Sequence, residues 1–322
     1  MWKGDISKVS EWLHFLNIKD LAPVDLRGIL DDAANVKRKR KGLASIAQDK
    51  GSLLSGRIFA FLSEKPSMRT RVSFDVGIRQ MGGEMIPLSG TEVRFGVGES
   101  IKDISRVLSS YVDGIIVRTF AEQSLLTLAG YATVPIINGL TDSSHPCQVM
   151  ADIMTYEEIF GHTIENNRIL WIGDGNNVCG SFIQAAVRLN FHLVISCPPT
   201  LAPSRELLQW AEEERKESVT LEPDPRKAIR GVSAVITDTW YSMHDDTDGR
   251  DGREKLLMPY CVDEELMKAA DKDAVFMHCL PAHRDREVRS SVLEEHYDTV
   301  LKEAENRLHV QKSIIKWCLK LL

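Results

Sequence analysis

The sequence predicts an α/β fold of two domains, each a parallel sheet flanked by helices. Two features of the chain predict it. Short apolar runs alternate with longer amphipathic segments over most of the 322 residues, the pattern of strands buried on both faces under crossover helices. The alternation also pauses at Thr141-Asp142-Ser143-Ser144-His145-Pro146 and restarts at Arg168, which places a domain boundary near 140–150 in a chain long enough for two domains.

In chain order, residues 58–62 (Ile-Phe-Ala-Phe-Leu) read as the first buried strand. Further strands are predicted over 114–118, 134–137, 169–172, 193–196, 234–237 and 274–277, and helices over 71–81, 100–111, 149–160, 178–190 and 205–215. The crossovers between parallel strands should be right-handed. Residues 245–253 (Asp-Asp-Thr-Asp-Gly-Arg-Asp-Gly-Arg) read as a polar surface loop able to act as a lid. The last segment, 304–322, is amphipathic and helical.

Composition sets limits on function. Apolar residues make up 43% and charged residues 27%, as in a globular protein with a substantial core, and the net charge is −6. The chain therefore has no bulk basic footprint for nucleic acid, and an anionic substrate has to be caught by a local cluster of cations. The six cysteines (Cys147, Cys179, Cys197, Cys261, Cys279, Cys318) form no CxxC pair and no zinc-finger spacing. They read as reduced and mostly buried. Residues 1–20 lack the apolar core of a signal peptide, and no apolar stretch has membrane-spanning length. A cytoplasmic location is expected, with a mature organellar protein as the alternative.

Ligands of open α/β sheets bind beyond the carboxyl ends of the strands. After the first strand comes Ser63-Glu64-Lys65-Pro66-Ser67-Met68-Arg69-Thr70-Arg71. A strand-to-helix turn leaves free N–H groups at a positive dipole end. Ser67 and Thr70 add hydroxyls, and Arg69 and Arg71 add planar forks that match phosphate oxygens. The plain alternative is a capped helix with a solvated basic turn, but cations there oppose the macrodipole, so the phosphate reading is preferred.

The remaining strand ends are weaker signals one at a time. Arg118 ends a strand and points into the crevice or into a surface salt bridge. His145-Pro146-Cys147-Gln148 opens a helix and, taken alone, reads as a capping arrangement. Gly173-Asp174-Gly175-Asn176-Asn177 begins like a dinucleotide fingerprint, but the third glycine is out of place. Asn177 there could instead bind a carboxylate. Asp238 could hold an ammonium group or cap a turn. Cys279, in His278-Cys279-Leu280-Pro281, suggests a nucleophile. His278, however, points to the opposite face of the strand, and a lone cysteine here is more often packed. Glu305-Asn306-Arg307, taken alone, reads as a solvated helix face.

Together these segments resemble, in order and spacing, the aspartate/ornithine carbamoyltransferase family. Ser67-x-Arg69-Thr70-Arg71 is similar to its carbamoyl-phosphate signature, and His145-Pro-Cys-Gln148 to its second phosphate-side motif. Asp174-Gly-Asn-Asn177, Asp238 with Ser242-Met243, His278-Cys-Leu-Pro281 and Glu305-Asn-Arg-Leu-His309 resemble the ornithine branch. The likeness runs from about His14 to Trp317.

The resemblance implies transfer of a carbamoyl group from carbamoyl phosphate to the δ-amine of L-ornithine, without metal or cofactor. It implies a carbamoyl-phosphate-binding domain over 1–146, an ornithine-binding domain over 147–300, and a C-terminal helix, 301–322, packed back on the N-terminal domain. Ser67, Met68 (through its N–H), Arg69, Thr70, Arg118, His145, Gln148 and Arg307 would hold carbamoyl phosphate, with Cys279 and Leu280 where the amine meets the carbamoyl carbon. Asn177, Asp238, Ser242 and Met243 would hold ornithine. Arg118, His145 and Cys279 would stand at the reacting atoms. Carbamoyl phosphate would bind first, to a homotrimer or a multiple of trimers with a site at each interface.

The sequence departs from the family pattern at three places. Met68 stands where Thr is frequent, in a role that is mostly backbone. Arg94 replaces a Gln that reaches carbamoyl phosphate from the adjacent subunit, so it either acts as a cation or has lost the role; Val97 stands where Arg is usual. His244 replaces a Gly in the lid. Two other readings compete: a sister enzyme acting on putrescine or an N-acylated ornithine, and a nucleotide-binding regulatory protein using Gly173-x-Gly175.

Overall fold

The computed structural model describes residues 12–65, 67–90, 98–241 and 250–322. Arg94, Ser242, Met243, His244 and most of the expected lid lie outside the described residues.

Among the described residues, the first unit comprises 12–16, Asp31–Thr141 and Gln311–Leu322. Its sheet has strands β1 (Ile58–Ser63), β2 (Glu84–Ser89), β3 (Gly114–Arg118) and β4 (Ile136–Leu140), all parallel, in the order β2-β1-β3-β4. Between the strands run α2 (Met68–Gln80), α3 (Ile101–Ser109) and α4 (Glu122–Tyr131); α1 (Pro23–Lys39) precedes them and is shared between the two units. Ala60, Leu62, Ile115, Val117, Leu125, Leu128 and Ile136 form one apolar cluster between sheet and helices.

The second unit comprises Asn17–Leu30 and Asp142–Val310. Its parallel sheet has the order β7-β6-β5-β8-β9, from β5 (Arg168–Ile172), β6 (His192–Ser196), β7 (Val219–Leu221), β8 (Ala234–Thr237) and β9 (Val275–His278). Helices α5 (Pro146–Phe160), α6 (Asn177–Arg188), α7 (Arg205–Glu214), α8 (Pro225–Ala228), α9 (Arg250–Leu257), α10 (Glu264–Met267) and α11 (Ser290–Glu295) surround it. Helix α12 (Tyr297–Cys318) closes the chain.

The α/β class and both parallel sheets are as expected. Strands β2 and β7 were not legible in the sequence. Each is an edge strand; β2 carries Pro87 and a mostly exposed face, and β7 is three residues long. Edge positions tolerate proline and need no apolar alternation. Helices α1 and α4 were also missed. The helix expected from 71 begins at Met68, because Ser67 serves as its cap and accepts the Thr70 N–H at 3.3 Å. The last helix begins at Tyr297, not at 304.

The end of α12 packs inside the first unit, as expected of a returning helix. Lys312 Nζ reaches Asp49 at 2.5 Å and Gln80 Oε1 at 3.0 Å. Lys316 pairs with Asp32, and Trp317 meets Phe15 edge to face. All six cysteines are unbridged, and Cys147, Cys179, Cys197 and Cys318 are buried. Among the described residues, no helix is long and apolar enough to cross a membrane.

Candidate active site

In the first unit the strand ends converge on the start of α2. Ser67 Oγ accepts from Thr70 N–H, so its own O–H hydrogen stays available to an incoming oxygen. The first turn of α2 holds no acidic residue, so Arg69 and Arg71 add their charge to the positive end of the helix. A cavity of about 850 Å³ opens beside this turn, with Ser67, Met68 and Arg71 among its walls. Met68 is exposed, as a residue acting through its backbone can be, whereas Thr70 is buried. Arg69 is half-buried and, like Thr70, is not in the wall.

Lys65 also lines the cavity and was missed by sequence reasoning, although it lies two residues before Ser67. It is buried, with its Nζ 4.3 Å from the centre of the Phe120 ring. Glu64 lines the same cavity and accepts a short hydrogen bond from Thr119. Arg118 ends β3, where the register against β4 shifts between Val117 and Arg118. A bulge at a strand end re-aims the side chain that follows.

In the second unit, His145 caps α5 with no side-chain cap bond, and its main-chain N–H donates to Ser181 Oγ at 2.8 Å. His145 is thus the cap residue of α5 by position, without the side-chain capping bonds expected of it and Gln148. Gln148 turns inward instead: its Nε2 donates to Asp152 Oδ1 at 2.7 Å and to Glu303 Oε1 at 3.4 Å. Both acids are buried. Burial pushes Asp152 up to about 7 and raises Glu303 well above the usual carboxylate range, with the neighbouring acid adding to the rise at Glu303 and the Arg307 charge opposing it at both. Sequence reasoning missed this pair. Asp152 lies one turn after Gln148, and Glu303 sits in a helix that looked solvated.

Arg307 lies in the third turn of α12 and is buried, as are Glu303 and Asn306. Asn306 Nδ2 donates to Thr155 Oγ1 at 2.9 Å and to Glu158 Oε2 at 3.0 Å. The solvated-face reading fails because this stretch of α12 packs against α5.

Asp238 and Cys279, at the ends of neighbouring strands β8 and β9, are in contact: the thiol donates to Asp238 Oδ1 at 3.0 Å. Burial first, and then the Asp238 charge, raise the Cys279 thiol well above its usual range. Cys279 is thus a protonated thiol, not a nucleophilic thiolate. The other oxygen of Asp238 accepts from Asn176 Nδ2 at 2.8 Å. Asn176 also caps α6, accepting from Val178 and Cys179. Asn177, the residue singled out from sequence, is the first residue of the helix proper. Leu280 follows Cys279 with a positive φ of 56°. The glycines of Gly173-x-Gly175 serve packing: a Cβ on Gly175 would stand 2.5 Å from Leu201 O and Pro203 N. The loop after Gly175 is thus filled by the chain itself.

The fold is thus two parallel α/β units, one with a basic helix start beside a cavity and one with an acid–thiol pair at its strand ends, the layout of an α/β enzyme with its groups at the carboxyl ends of the strands. Sequence comparison gives the family. Residues 13–158 match the profile described as "Aspartate/ornithine carbamoyltransferase, carbamoyl-P binding domain", and residues 165–318 that of the "Asp/Orn binding domain". The chain belongs to the aspartate/ornithine carbamoyltransferase family.

Similar proteins include an ornithine carbamoyltransferase of Cereibacter sphaeroides, 51% identical over 96% of this chain and 99% of that one. One from Roseobacter denitrificans is 52% identical over 95% of this chain and 99% of its own length. Among solved structures, ornithine carbamoyltransferase from Pyrococcus furiosus superposes with a TM-score of 0.89 at 38% identity, covering 96% of this chain and 97% of that one.

Proposed function

We propose that the protein transfers the carbamoyl group of carbamoyl phosphate to the δ-amine of L-ornithine, giving L-citrulline and phosphate in arginine metabolism. The observation that carries this reading is near-full-length identity of about one half to proteins named ornithine carbamoyltransferase. The pairing of Asp238 with Cys279 suits it, because a carboxylate beside a neutral thiol can receive a cationic amino acid.

Residues 1–146 form the carbamoyl-phosphate domain and 147–300 the ornithine domain, with 301–322 as the returning helix. Ser67, the Met68 N–H, Arg69 and Thr70 hold the phosphate. Arg118, His145, Gln148 and Arg307 hold the carbamoyl oxygens, and Arg94 extends the cradle from a neighbouring subunit of a trimer. Asn177, Asp238, Ser242 and Met243 take the amino-acid end of ornithine; Cys279 and Leu280 border the reacting amine. The location is cytoplasmic.

The chemistry needs no covalent enzyme intermediate. The neutral δ-nitrogen attacks the carbonyl carbon, an oxyanion develops, the bond to the phosphate oxygen breaks, and a proton from nitrogen leaves with the phosphate. Positioning of the two substrates and donors aimed at the oxyanion, from Arg118 and His145, provide the acceleration.

An assay for ureido product tests this, with carbamoyl phosphate offered ornithine, N-acetylornithine or putrescine. Citrulline from ornithine is expected. Product from putrescine alone would overturn the assignment.

A further inference from the structure

A buried carboxylate that this mechanism does not use, Glu287, is tied to both strand ends that carry the ornithine-side residues. It lies between β9 and α11 and is fully buried. Its Oε1 accepts His278 Nε2–H at 3.3 Å and also accepts a short bond from the His283 main-chain N–H. His278, itself fully buried, uses its other ring nitrogen, Nδ1, to accept the Leu280 N–H at 2.9 Å. A neutral imidazole that accepts at Nδ1 carries its hydrogen on Nε2. The two bonds therefore agree on one tautomer, with Glu287 as the acceptor it requires.

Leu280 is the residue held in the left-handed region, with φ 56°. A branched side chain does not stay there without restraint. The restraint is the His278–Leu280 bond, and behind it stands Glu287. Through the same oxygen, Glu287 anchors the backbone of His283, whose Nδ1 bonds Thr239 Oγ1 at 2.7 Å, next to Asp238. Removing the carboxylate strands a buried ring N–H and releases both walls together.

We infer that Glu287 is a positioning residue for the ornithine side of the site, acting through His278 on the Cys279–Leu280 turn and through His283 on the Thr239–Asp238 strand end. This rests on the ornithine reading above, and the test separates the two.

Two variants and one direct observation decide it. Glu287→Gln keeps an amide oxygen to accept both N–H groups; Glu287→Leu keeps bulk and no acceptor. In folded protein, Glu287→Leu is expected to lower kcat/KM for ornithine at least about tenfold with little change in KM for carbamoyl phosphate. Glu287→Gln is expected within about threefold of the parent on both. Neutron diffraction on the parent protein should find hydrogen on His278 Nε2 and none on Nδ1. A folded Glu287→Leu variant with unchanged ornithine kinetics, or hydrogen on Nδ1, overturns the inference. If Glu287→Leu does not fold, Glu287→Gln and the neutron map carry the decision. Absence of citrulline from the parent would sink the ornithine reading instead and leave the tautomer observation standing.

Discussion

Cys279 gives its thiol hydrogen to Asp238 across 3.0 Å, at the ends of two adjacent parallel strands. The contact sets the chemistry of both groups. Burial first and then the carboxylate keep the thiol protonated, and the thiol bonds one oxygen of the carboxylate while Asn176 bonds the other.

A protonated thiol is not an attacking group; in the proposed mechanism it only borders the reacting amine. Cys279→Ser, which keeps a donor to Asp238, should therefore retain measurable turnover. No carbamoyl adduct on Cys279 should appear by mass spectrometry of enzyme quenched during turnover; finding one would reverse this view.

The stability of the second unit should carry the signature of Asp152. Its folded pKa is raised to about 7, mainly by burial. The stability it contributes is then fully present below the unfolded value of about 4 and is lost as pH rises through about 7. Asp152→Asn does not titrate. The unfolding free energy of that variant minus that of the parent, from denaturant titrations, should climb between about pH 4 and 7 and level off above, for a total on the order of a few kcal/mol. A difference independent of pH would count against a raised Asp152.

The attacking amine has to be neutral. An alkyl ammonium with a pKa near 10.4 costs about 4 kcal/mol to deprotonate at pH 7.4. The rate of the ornithine step should rise with pH through the neutral range, measured with both substrates saturating. A flat profile would place rate control elsewhere.

The basic first turn of α2 has no acid to offset it. If Arg69 donates to phosphate, Arg69→Gln removes a charge-assisted bond of about 1.5–3 kcal/mol. The KM for carbamoyl phosphate should then rise about 10- to 100-fold, with that for ornithine changed far less. Equal effects on both substrates would point to a folding role.

The sequence by itself determined the α/β class, and it carries the expectation of a boundary near 140–150 and of a cradle at Ser67–Arg71, because each depends on neighbours along the chain. Strand–helix alternation, a serine cap and a run of arginines are local properties. Only the tertiary structure decided the inner part of the ornithine-side unit. Whether Glu303, Asn306 and Arg307 face water or protein depends on α5, some 150 residues away, which receives Asn306 at Thr155 and lends Gln148 to Glu303. That Asn176, and not only its neighbour Asn177, belongs to this region appears once its Nδ2 is seen to donate to Asp238 while its Oδ1 caps α6. Glu287 gave no signal at all: a glutamate in a charged loop reads as solvated until two histidines from the same turn are seen to close over it. Asp238 and Cys279, legible separately, became a pair only when β8 and β9 lay side by side. Pairing of that kind joins residues 41 apart, and no periodicity in the sequence records which strand will be the neighbour.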